Sequence, residues 1–392
     1  MLTKNIFFKD FKVKIFRKKI KKLLIKNIKK EINDKNNLLF SFTKKYKHSY
    51  SRNKIIKLRK KYPTINLIGM GGSVLGSKAI YFFLINKIKK KIIFFDNLIS
   101  SRKNLIDKNK TLNVIVSKSG NTLETIVNCS VNINKNHQNL IITENKKNYL
   151  RELAMSLKAE VIEHKNYIGG RYSVLSEVGM LPADLMGLNV MKFKRMNNLI
   201  KQSKFINTLC ENVERTLYLV KKNKLNSIIL NYDDKSKCLF KWYQQLISES
   251  LGKKSKGIMP FVSTMPKDNH SLLQLYLDGP KNNFFTFFYT FDKNSNLINN
   301  KKFLRGLKYL NNKKVSEIIY AQKIATQNVF LKKNIPFRNI EILNRNEESL
   351  GELFCFFVLE TILLGRALKV NPFDQPSVEL VKNETKKIFL KR

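Results

Sequence analysis

The chain has 392 residues, 43% hydrophobic and 27% charged, which is enough to bury two cores of ordinary size. Its 75 basic against 29 acidic residues give a formal net charge of +46, but the excess is nearly all Lys and runs along the whole chain beside equally heavy Ile, Asn and Phe. That pattern excludes the concentrated Arg and aromatic stripe of a specific nucleic-acid binder, and no apolar run approaches the ~20 residues of a membrane span.

The Lys excess reads as a bias toward A/T-rich codons at tolerant surface positions, leaving a dispersed cationic surface that steers anionic substrates. Residues 1–30 carry Lys throughout and contain no secretory signal. Cys129, Cys210, Cys238 and Cys355 are scattered, with no CxxC or Cys/His pairing. They read as reduced thiols of a cytoplasmic enzyme, and no metal site is implied.

In chain order, residues 4–33 mix Phe, Ile and Leu with Lys and end as an amphipathic helix, an N-terminal arm over 1–50. Residues 51–61 form a helix closed by Pro63. Short apolar runs then alternate with helical stretches: strands at 65–70, 92–95, 113–116, 140–143 and 161–162, with helices starting at Ser73 and about Thr122 and one at 149–157. A second unit begins near Lys224, with strands at 227–230, 258–262, 284–291 and 337–342. A long apolar helix at 351–368 and a last one within 371–390 finish the chain. The alternation predicts an α/β protein of two domains with mainly parallel sheets covered by helices, joined around 186–201, with helical arms at both ends.

The helix at 239–253, LFKWYQQLISESLGK, organises the second unit. Leu239, Trp242 and Leu246 make a buried stripe, and Glu249 continues it. Glu249 also lies in the last turn before Gly252, where the helix dipole disfavours an anion by roughly 0.3–1 kcal/mol. Seen alone, such a Glu is more often paired with a buried Arg or Lys. The sharper reading is a proton-transfer base, because partial burial favours the protonated carboxyl.

Other reactive groups fall into clusters. The 117–122 loop, SKSGNT, lies between a strand and a helix, where hydroxyls, a Gly and helix N–H groups make an anion site. The 69–76 loop, GMGGSVLG, lacks the dinucleotide spacing, and two such loops in one domain suit a phosphorylated sugar better than a dinucleotide. Arg171 follows two glycines, His270 follows Asp268 and Asn269, and Asp374–Gln375 leads to Glu379 and Lys382.

GMGGSVLG, SKSGNTLET, GGRYSVLSEVG, KWYQQLISESLGK, KDNHSLLQLYLDGP and NPFDQPSVELVK resemble, in this order, the blocks of the glucose-6-phosphate isomerases. The match runs from about residue 65 to residue 382. The resemblance implies two sugar-isomerase (SIS) domains, three-layer αβα units at 51–190 and 191–365, with a C-terminal arm at 366–392. It implies reversible conversion of glucose 6-phosphate and fructose 6-phosphate through a cis-enediolate. Glu249 would be the base between C1 and C2, and Arg171 would stabilise the enediolate. His270 and Lys382 would assist ring opening, with Glu124 orienting His270. Ser117, Lys118, Ser119, Thr122 and Gln375 would hold the phosphate, and Gly72 and Ser73 would approach the sugar. In the family the histidine comes from the neighbouring subunit, so a homodimer is implied. No step needs a metal, redox centre or nucleotide cofactor. Two departures stand out. Gly120 and Asn121 replace the bulkier residues and Thr of typical members, leaving mannose 6-phosphate open as a substrate, and Pro376–Ser377 replace Trp-Gly.

A non-catalytic sensor of sugar phosphates would keep the 117–122 loop but would not need Glu249, Arg171, His270 and Lys382. Their joint presence argues for the enzyme.

Overall fold

The fold is taken from a computed structural model that describes residues 1–13, 28–100, 110–133, 137–299 and 306–390. The chain begins with a strand where the sequence suggested a helical arm. β1 (Ile6–Lys9) pairs antiparallel with residues 339–342, and the Thr3 and Asn5 side chains donate to the buried Glu352 carboxylate. Its period-2 burial fits an edge strand with one wet face. Residues 14–27, the middle of the expected arm, lie outside the described residues, and residues 28–33, its end, are helical as the sequence suggested.

After α1 (Arg52–Lys61) come β2 (Thr64–Gly69), α2 (Leu75–Phe83), β3 (Lys91–Phe95), β4 (Thr111–Val116), α3 (Leu123–Asn132), β5 (Gln138–Thr143), α4 (Tyr149–Ser156) and β6 (Glu160–Glu163). The five strands from β2 to β6 form a parallel sheet in the order β3-β2-β4-β5-β6. Every residue of β2 and β4 is buried, as expected of central parallel strands covered on both faces. Their register is pinned by a row of buried amides. Asn66 Nδ2 donates to Asn113 Oδ1 at 2.9 Å, and Asn113 Nδ2 to Asn139 Oδ1 at 2.8 Å. A one-residue slip would break both bonds and turn each strand inside out.

The chain continues through α5 (Glu177–Leu185), two short helices and α6 (Ser203–Lys221) into the second sheet. That sheet contains β7 (Asn226–Asn231), β8 (Met259–Thr264), β9 (Asn283–Thr290) and β10 (Phe337–Ile342) in the order β1-β10-β9-β7-β8, all parallel except β1. Between β7 and β8 runs α7 (Lys237–Leu251); α8 (Val315–Lys332) precedes β10, and α9 (Glu347–Ala367) and α10 (Val378–Leu390) follow it. The stripe read from the sequence is real: Leu239, Trp242 and Leu246 are buried in the core, with Trp242 edge-on to Phe354 of α9 at 4.8 Å. α7 packs against both α9 and α2, so it is the element that joins the two sheets' layers. α10 is different, since none of its residues is buried.

Candidate active site

The first sheet fixes where a ligand can sit. From β2 the chain moves outward to β3, then crosses back to β4 on the other side of β2. The crevice beyond the carboxyl ends of β2 and β4 is therefore the topological switch point, the place where open α/β sheets bind ligands. GMGGS and SKSGNT are the loops that leave those two ends.

The second of these loops is tightly braced. Ser117 Oγ and Thr122 Oγ1 are 2.8 Å apart, and the Gly120 N–H donates to Ser117. Thr122 is the N-cap of α3 yet spends its hydroxyl on Ser117, so the first amides of α3 keep no side-chain cap. Gly120 has φ +70° and lies against Asn148, where a Cβ would sit 2.0 Å from Asn148 Oδ1. Only glycine fits there. The Gly120 carbonyl and the Asn121 side chain accept the Leu150 and Tyr149 N–H groups, tying the loop to the start of α4. Lys118 is less available than the sequence suggested, because its Nζ donates to the Asn166 carbonyl at 2.7 Å and lies 3.5 Å from Glu144.

The first loop packs against the segment that carries Arg171. Gly72 lies so close to Gly170 and Arg171 that a Cβ would be 2.2 Å from the Gly170 carbonyl carbon and 2.6 Å from the Arg171 nitrogen. Gly72→Ala is therefore expected to push the 169–171 segment away, destabilising the fold by ~1–3 kcal/mol and lowering turnover. Melting temperature and kcat on one preparation check this, and an unperturbed variant would mean that the close approach is not needed.

Arg171 is buried, only 2% exposed, on a 3-10 turn at Gly170–Leu175. Its guanidinium gathers acceptors from three directions. Nε donates to Ser250 Oγ at 2.8 Å, Nη2 to the Pro372 and Asp374 carbonyls at 2.7 and 3.0 Å, and Nη1 to Gln375 Oε1 at 2.8 Å. Nη1 also faces Glu249 Oε2 at 3.3 Å, a longer contact than an N–H group prefers. Glu249 is half-buried in the last turn of α7, and its other oxygen accepts from Gln245 Nε2 at 2.9 Å. The paired Glu and the functional Glu foreseen from the sequence thus share one partner. A carboxylate and a fixed guanidinium facing each other can move a proton and stabilise the charge that develops.

Gln375 lies beside the guanidinium rather than in the 117–122 loop, and Asp374 is held below the usual carboxylate range by Lys253, 2.8 Å away. Ser73 ends the 3-10 turn of the first loop. Glu124 stands in the first turn of α3, half-buried and without a hydrogen-bond partner among the described residues. His270 is exposed on the turn after β8, and Lys382 is exposed on α10, its one partner among the described residues being Glu379 at 2.6 Å. α7 runs from the carboxyl end of β7 to the amino end of β8, so Glu249 and His270 sit at opposite ends of β8, roughly 20 Å apart along it. One chain does not bring them together. Ser250 and the Pro372 carbonyl were missed in the sequence. Ser250 directly follows Glu249 and is fully buried, but nothing local marks it as a partner of a residue 79 positions away.

A family model described as phosphoglucose isomerase matches residues 25–266, more than half of the chain and a range that includes Arg171 and Glu249. The chain belongs to the phosphoglucose isomerase family. It is 34% identical to the glucose-6-phosphate isomerase of Methanocaldococcus jannaschii over 352 residues, 83% of each chain, and 31% identical to that of Campylobacter jejuni over 83% of this chain and 85% of the other. Among solved structures, a hypothetical protein from Thermus thermophilus superposes with a TM-score of 0.77 at 25% identity, covering 86% of this chain and 87% of that one. A glucose-6-phosphate isomerase from Chlamydia trachomatis shares the fold at a TM-score of 0.72 and 20% identity, covering 86% of this chain and 72% of that one. No helix among the described residues of this phosphoglucose isomerase family member is long and apolar enough to cross a membrane.

Proposed function

We propose that the chain interconverts glucose 6-phosphate and fructose 6-phosphate, in the cytoplasm, by ring opening followed by proton transfer through a cis-enediolate. The observation that carries this reading is the opposition of Glu249 and Arg171, 3.3 Å apart, where the 69–76 loop packs against α7 and the segment that carries Arg171. Glu249 takes the proton from one of the two adjacent carbons and returns it to the other. A positioned base contributes about 10²–10⁴-fold. Arg171, already locked by neutral acceptors, supplies the larger electrostatic part as the enediolate oxygen charges. The phosphate rests on Ser117, Ser119, Thr122 and the amides of α3, with Lys118 as a flanking charge. Gln375 fixes the guanidinium side of the substrate, and Gly72 and Ser73 let the backbone approach the sugar.

Ring opening falls to Lys382 and to His270 of the partner subunit, oriented by Glu124. The separation of His270 from Glu249 within one chain supports a homodimer in which each site is completed across the interface. The four free cysteines support a reducing compartment.

A coupled assay with fructose 6-phosphate, run beside mannose 6-phosphate, tests the activity and its range, and absence of turnover with both would remove the proposal. The phosphate assignment has its own test. Ser119→Ala with Thr122→Ala is expected to weaken 6-phosphogluconate binding about tenfold or more while the melting temperature stays nearly level. Unchanged affinity by calorimetry would move the phosphate to another loop.

A further inference from the structure

Arg171 closes a ring of hydrogen bonds whose other members carry no role in the reaction proposed above. Arg171 Nε can only donate, so Ser250 Oγ accepts from it, at 2.8 Å. The Pro372 carbonyl can only accept, and Tyr172 Oη donates to it at 2.9 Å. The remaining contact, Ser250 Oγ to Tyr172 Oη at 2.8 Å, then has one direction left: Ser250 donates. Arg171 Nη2 closes the ring on the same Pro372 carbonyl at 2.7 Å. The two ends of the chain of bonds thus fix both hydroxyl protons.

Every side chain of this ring is buried. Ser250 and Tyr172 are fully enclosed and Arg171 is 2% exposed, so water does not compete for the bonds. Burial also pushes the Tyr172 hydroxyl above its ordinary range and keeps it a donor. The ring engages Nε and Nη2 and leaves Nη1 as the nitrogen that faces Glu249 and Gln375. It also spans three elements that are far apart in sequence: the 3-10 turn of Arg171, the end of α7, and the 371–375 turn that carries Gln375.

We propose that Ser250 and Tyr172 are positioning residues that set the plane of the Arg171 guanidinium, so that Nη1 meets the enediolate oxygen rather than the ground-state sugar. The inference rests on the role assigned to Arg171. A hydrogen bond that orients a charged group without touching substrate affects the transition state more than substrate binding, so kcat should fall while KM holds.

The test uses the full-length protein and the variants Ser250→Ala, Tyr172→Phe, their combination, and Arg171→Ala. Each single variant is expected to lower kcat about tenfold with KM within about twofold. A hydroxamate analogue of the enediolate should lose affinity by a similar factor, while 6-phosphogluconate should not. Because the two hydroxyls form one relay, the double variant should fall little below the worse single variant. Melting temperatures report folding separately, and Tyr172→Phe, which removes one oxygen without changing shape, guards against a collapse at Ser250→Ala. Folded single variants with full kcat and unchanged analogue affinity would overturn the positioning role, as would effects that multiply in the double variant. If Arg171→Ala also keeps full kcat, the assignment of Arg171 itself fails. If only Arg171→Ala is inactive, the assignment stands and the relay fails.

Discussion

Glu249→Gln is expected to lower isomerisation, and exchange of the C2 hydrogen with solvent, by roughly a thousandfold or more, because the amide keeps the shape but accepts no proton. Ring opening, which does not use this residue, should persist. Stability should change little, and the contacts show why. Glu249 sits in the last turn of α7, where its charge is disfavoured by roughly 0.3–1 kcal/mol. Its contact with Arg171 is long, and the guanidinium has Ser250, Gln375 and two carbonyls as further acceptors. A glutamine oxygen can still accept from Nη1. A purely structural Glu would give the opposite pair of results, a lower melting temperature with near-normal turnover per folded molecule. C2 exchange and melting temperature measured together separate the two.

The largest expected loss of stability lies elsewhere, under the same helix. Arg338 of β10 is 2% exposed and donates to Thr286 Oγ1 at 2.9 Å, to Asn212 Oδ1 at 2.8 Å and to the Glu360 carboxylate of α9, which is itself 1% exposed. Tyr243 of α7 closes the cluster at 3.4 Å. Arg338→Met would leave the Glu360 anion buried with the Asn212 amide, at 2.6 Å, as its one remaining hydrogen-bond partner among the described residues. That is expected to destabilise the fold by ~3–5 kcal/mol. Replacing both charges, with Arg338→Met and Glu360→Leu, should recover much of the loss, since removing a buried pair removes its desolvation cost as well. Denaturant unfolding of the two variants checks this, and equal losses in both would show that the pair is not what matters.

The parallel strands were legible because strands buried on both faces read as near-continuous apolar runs, and LIG, NVIV and FFTFFY leave little choice. β1 was not legible. It is four residues long, and its partner, β10, lies more than 300 positions away, so no local pattern distinguishes IFFK from the start of an amphipathic helix. Helix α5 escaped for a different reason. All nine of its residues are buried and it contains Pro182, so it shows neither a polar face nor a clean period. In the site, Glu249 announced itself by standing in an apolar stripe at the wrong end of a helix. The residues that hold Arg171 did not, because two of its acceptors are main-chain carbonyls some 200 positions away, contributed by a turn whose path only the folded chain defines. The sequence also could not say that Lys118 would be drawn toward Asn166, since that depends on where the loop after β6 passes.

The most direct measurement is made on the unmodified protein. Fructose 6-phosphate is supplied in deuterium oxide, and the glucose 6-phosphate formed is read by NMR or mass spectrometry. Proton transfer through an enediolate held between Glu249 and Arg171 predicts that product forms and that deuterium enters at C2, because the proton Glu249 takes from C1 exchanges with solvent in part while the enediolate is held, before it is returned to C2. No deuterium at C2 even after prolonged equilibration over many turnovers would indicate direct hydride movement and contradict the role of Glu249, and absence of product would contradict the function itself.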